Sequence, residues 1–144
     1  MEQCFMEDFK MDDEIFKISK DKERAKDLFD MAKERLELLK LIPKDKAYKI
    51  IEEYYEIIKE LLTATMYIDG YKTLSHIKLI EYFSTNYKEL DENQIKLINT
   101  LRKFRIGIVY YGRKISQEFL INNKAEIKKI ISILMKLVRE KSSK

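Results

Sequence analysis

Cysteine, histidine and proline each occur once in the 144 residues, glycine three times and tryptophan never. Each scarcity excludes something. A lone Cys4 cannot close an intrachain disulfide, and with a single His76 it cannot assemble a zinc site. Neither a Ser-His-Asp set nor a Cys-His pair has members to spare, and three scattered glycines make no phosphate-cradling loop. No metal and no cofactor are expected. Long hydrophobic runs are also missing: none approaches the roughly 20 residues that cross a bilayer. The first residues, MEQCFMEDFKMDDE, are acidic where a secretory signal is basic and then apolar. The expectation is a soluble, cytoplasmic protein with no membrane partner.

With so few glycines and prolines, almost nothing interrupts helices, and 38% of the residues are charged. The expected class is all-α, in one domain whose 45% hydrophobic content suffices for a single core. Ser19 reads as the N-cap of a first helix with Ala25, Leu28, Phe29, Ala32, Leu36 and Leu39 at three- and four-residue spacing, ended by Pro43. A second helix runs from about Asp45 to Ile68 and stops at Gly70; it is apolar over so much of its circumference that it belongs mid-bundle. A short helix capped by Ser75 follows. The fourth runs from Glu92 to about Gln117, and the fifth starts near Asn122 or Asn123. Short connections make an antiparallel up-and-down bundle of four to five helices over 19–144, with 1–18 an N-terminal arm or short docked helix.

Charge is distributed unevenly. Residues 1–16 carry six acids and one base, whereas 96–144 carry thirteen Lys or Arg against three Glu. That asymmetry points to a phosphate-bearing or acidic partner for the last third. Arginine is well suited to bidentate phosphate contacts, and three of the last third's four arginines fall in RKFRIGIVYYGRK, 102–114. At about 100° per residue, Leu97, Leu101, Phe104, Ile108, Tyr111 and Ile115 share a core-facing stripe. Ile95, Arg102, Ile106, Val109 and Arg113 form a second stripe on the far side, bordered by Arg105 and Tyr110. Aliphatic and arginine side chains together are typical of association surfaces, so a homodimer through Ile95, Ile106, Gly107 and Val109 is expected. Mid-helix Gly107 costs about 1 kcal/mol relative to alanine, which close approach of another backbone would explain.

Two further features read as structural. Glu52, Glu56 and Glu60 recur at four-residue spacing and should pair with lysines of a neighbouring helix or face water. His76, just inside a helix start, is expected to be neutral and hydrogen-bonded.

Three segments together carry a family resemblance: DKERAKDLFDMAKERLELL, the tyrosine-rich second helix leading into YIDGYKTLSHIKLIEYF, and LRKFRIGIVYYG. In order and spacing the chain, from about Asp21 onward, resembles the HEPN superfamily, in particular its small stand-alone prokaryotic members. The resemblance implies a bundle of four or five helices, homodimerisation, and occurrence beside minimal nucleotidyltransferases in toxin-antitoxin modules. Catalytic members carry an arginine, usually followed by a polar residue, four to six positions before a histidine, and two such motifs form a metal-independent ribonuclease site. Arg105 matches that arginine; Ile106 stands at the polar position and Tyr110 where histidine falls. A tyrosine with a pKa near 10 is a poor proton acceptor at neutral pH. The expectation is a non-catalytic dimer that binds a nucleotide, RNA or nucleotidyltransferase partner in a basic cleft lined by Arg102, Lys103, Arg105, Tyr110 and Arg113. The alternatives are a ribonuclease toxin using Arg105 and Tyr110, and a purely structural partner subunit.

Overall fold

The computed structural model describes residues 14–144. In chain order these form β1 (Ile15–Lys17), α1 (Lys22–Leu39), α2 (Ala47–Asp69), β2 (Tyr71–Thr73), α3 (His76–Asn86), α4 (Glu92–Tyr111) and α5 (Gln117–Ser142). The described residues form an all-α bundle of five helices with one two-stranded ribbon. Residues 1–13 of the expected arm lie outside the described part. At Ile15–Lys17 the chain is neither arm nor helix: it pairs antiparallel with Tyr71–Thr73, Phe16 opposite Lys72.

The bundle is organised around α2, which packs on each of the other four helices. Its side chains explain this: Ala64, Ile57, Leu61, Ile51, Tyr55 and Met66 spread over more than half of the circumference, and all are buried. Val138, Ile130 and Ile127 of α5, Phe83 of α3, Leu101 of α4 and Ala25 and Ala32 of α1 close over it. The small alanines allow α1 to lie close to α2. Gly70 ends α2 at φ 89, in the left-handed region. A side chain there would also meet the Ile18 carbonyl oxygen at 3.1 Å.

Three boundaries differ from the sequence-based expectation. Asp21, not Ser19, caps α1, its carboxylate accepting from the Arg24 N–H at 2.9 Å. The fourth helix stops at Tyr111 rather than Gln117, because Gly112 turns left-handed (φ 63) and its N–H returns to the Ile108 carbonyl. The fifth starts at Gln117 because the Ser116 hydroxyl accepts from the Phe119 N–H. Ser75 and Asp91 cap α3 and α4, the latter through a reciprocal capping box with Gln94.

No helix among the described residues is long and apolar enough to cross a membrane.

Candidate functional site

Gln94, Ile98 and Leu101 are buried on α4, and half-buried Arg105 continues their row at four-, three- and four-residue spacing. Of the expected core stripe, Leu101 is buried and Leu97, Phe104, Ile108 and Ile115 pack partly buried against the core, whereas Tyr111 is 69% exposed. Ile95, expected on the outward stripe, is partly buried against the core.

Arg105 therefore faces inward. Its Nε donates to Oε1 of Glu56 on α2 at 2.9 Å, and Lys59 Nζ meets the other oxygen of the same carboxylate at 2.9 Å. Burial pushes the Glu56 pKa up, but Lys59 and Arg105 outweigh it and hold the carboxyl below its ordinary value. The expected pairing of the α2 glutamates with neighbouring-helix lysines is met instead by arginines. Arg35 of α1 bridges Glu53 at 3.0 Å and Glu60 at 3.1 Å. Glu52 pairs with Lys49 of its own helix.

His76 joins the same neighbourhood from the start of α3. Its Nδ1 shares a hydrogen bond with the Tyr55 hydroxyl at 2.9 Å. Burial lowers its pKa, and the positive charges of Lys59, Arg105 and Arg102 lower it further against an opposing pull from Glu56. The ring is neutral at pH 7. Burial pushes Tyr55 up to about 12, so its hydroxyl stays protonated. Sequence distance had hidden this placement of His76 within the field of Lys59 and Arg105; the visible signal was the four-three-four row that turns Arg105 toward α2.

The other candidates separate into two groups. Arg102 is half-buried and donates from Nε to Oδ1 of Asn99 at 3.3 Å, while Lys103 is exposed. Beyond them, Tyr110 is 69% exposed, with Ile106 and Val109 also outward. Arg113 folds back: its N–H donates to the Gly107 carbonyl at 3.1 Å and its guanidinium lies 5.2 Å from the Tyr111 ring centre. Gly107, expected against a partner helix, is buried beneath that arginine of its own chain, whose Cδ lies 3.3 Å from where a β-carbon would stand.

Among the described residues no group of three or more His, Cys, Asp or Glu is placed to hold a metal ion. No protein-family model, curated protein or solved structure matches the chain.

Proposed function

We propose that the protein is a HEPN-like RNA-binding homodimer whose contact surface is the C-terminal end of α4 and the turn that follows. The observation that carries this reading is the projection of Tyr110 and Tyr111, each 69% exposed, between the cations Lys103, Arg113 and Lys114. Exposed tyrosines cost solubility on a free surface, yet give any unpaired base a stacking face. None of Arg102, Lys103, Arg113 and Lys114 makes an ion pair with a carboxylate among the described residues, so all four remain free for phosphates. Arg105 does not serve as a ligand: it is spent on Glu56. Ile106 and Val109 supply the apolar contact between copies.

Fluorescence anisotropy with a single-stranded RNA oligonucleotide tests this. Lys103→Glu with Arg113→Glu weakens binding and flattens its salt dependence, and Tyr110→Ala removes about 1–3 kcal/mol per stacked base. Isotherms identical to wild type in both variants would sink the proposal.

A second reading has its own support. His76, neutral and in the field of Arg105, supplies the imidazole that the Arg105–Tyr110 motif lacks, in the chemistry of a metal-independent ribonuclease. It requires RNA cleavage in EDTA that vanishes in His76→Ala; purified protein inert on RNA disposes of it. A nucleotidyltransferase partner would instead reveal itself by co-purification without affinity for RNA alone.

A further inference from the structure

A cavity of about 650 Å³ lies between α1 and its following turn, the first half of α2, and α5. No residue of α4 lines it, so it is separate from the surface proposed for RNA. Its floor is apolar, with Leu39, Ile50, Ile131 and Met135 buried around it. Its rim is cationic: Lys40, Lys44, Lys124, Lys128, Lys136 and Arg139. No carboxylate lines it among the described residues. Among the described residues only Lys40 of the six cations makes an ion pair there, with the exposed Glu37. Tyr54 completes the lining, and its hydroxyl is the one buried side-chain polar atom left without a hydrogen-bond partner among the described residues.

Neither ordinary explanation covers both features. A solvated lysine face needs no apolar hollow beneath it, and a packing defect needs no ring of like charges, which repel one another. The volume falls within the roughly 300–1,000 Å³ of pockets that enclose small molecules. Lysine suits such a rim because its methylene stem can lie along an apolar chain while the ammonium stays in water. We infer that this cavity binds a single-chain amphiphile with an anionic head, carboxylate or phosphate. The apolar chain occupies the floor and the head meets the lysines.

Calorimetric titration of the full chain with dodecanoate and with dodecyl phosphate, both below their micellar concentrations, tests the site. Saturable one-to-one uptake is expected for one or both; a preference between the heads supports the site and names its source. Shortening the chain by two methylenes weakens binding on the order of tenfold. Neutral dodecanol binds at least about tenfold more weakly, since it cannot use the cationic rim. Lys128→Glu with Lys136→Glu brings a comparable loss for the anions. Ser132→Trp, at an exposed lining position, blocks uptake of both, and unchanged unfolding midpoints show that these variants fold. The proposal is overturned by no uptake by the folded wild type, by equal affinity for dodecanol, or by unchanged binding in the charge-reversed protein. Attachment only to vesicles of anionic phospholipid, without uptake of the monomers, overturns it in favour of surface adsorption.

Discussion

Along α2, each of Glu53, Glu56, Glu60 and Asp69 meets a cation from another helix, at 2.9–3.1 Å. Along α5, Lys124, Lys128 and Lys136 rim a hollow that no carboxylate enters among the described residues. Both regions contribute to the same formal net charge of +4. In the first, charge is spent on holding helices together; in the second it is left over for something outside. What distinguishes them is burial: a half-buried carboxylate without a partner is expensive, whereas an exposed lysine costs little either way.

The largest expected effect is at Asp69. One carboxylate oxygen accepts from the Tyr82 hydroxyl at 2.7 Å and the Tyr87 hydroxyl at 2.5 Å, and the other pairs with Lys141 at 2.9 Å. Burial opposes the charged form, but the hydrogen bonds from Tyr87, Lys141 and Tyr82 together hold the pKa below the usual aspartate value. Asp69→Ala strands three donors at the junction of α2, α3 and α5, and urea denaturation should show a loss of about 3 kcal/mol. Lys128→Glu, in the other region, should stay within about 0.5 kcal/mol of wild type. Equal losses would erase the distinction between spent and left-over charge.

Next comes Arg105→Ala, expected to cost about 2 kcal/mol by leaving Glu56 with Lys59 alone. The further change Glu56→Gln in that background should restore part of the loss, because a neutral amide tolerates the site better than an unmatched carboxylate. A variant as stable as wild type but deficient in RNA binding would return Arg105 to the ligand surface.

His76 gives a smaller, pH-dependent effect. The unfolded chain titrates near 6.5, while burial and the cations around the folded ring lower its pKa. The unfolded state therefore takes up the proton first. Stability from the neutral ring is complete above about pH 6.5 and is lost as pH falls below that value. Unfolding midpoints measured at pH 7 and pH 5.5 should drop for wild type and change less for His76→Gln. Equal drops would mean that the ring is not held neutral by this neighbourhood.

The class and the helix stripes were readable because they depend on local chemistry: period, propensity and the Ser75 cap. What was not readable was pairing between elements. Ile15–Lys17 needs Tyr71–Thr73 to be a strand, and nothing in three residues declares a partner more than fifty positions away. The expected core stripe of α4 holds at Leu97, Leu101, Phe104 and Ile108, but the inward turn of Arg105 beside it could not be read, because it depends on Glu56 of α2 standing opposite. The cationic stretch after 96 was visible as a sum. Which of its members would be neutralised, Arg105 and Lys141 but not Lys128 or Lys136, depends on where α2 puts its acids.

The smallest effect separates two explanations of Gly107. If this glycine admits a partner helix, a methyl group there should weaken self-association. The structure gives it a different neighbour, the flexible Arg113 side chain, whose Cδ lies 3.3 Å from the position of the added carbon. Such an atom can shift by a few tenths of an ångström, and alanine in a helix interior is favoured over glycine by about 1 kcal/mol. Gly107→Ala should therefore leave the protein about 0.5 kcal/mol more stable, with its sedimentation behaviour unchanged. A gain in stability accompanied by loss of dimer would mean that two α4 backbones do meet at this residue, and that Arg113 swings aside when they do.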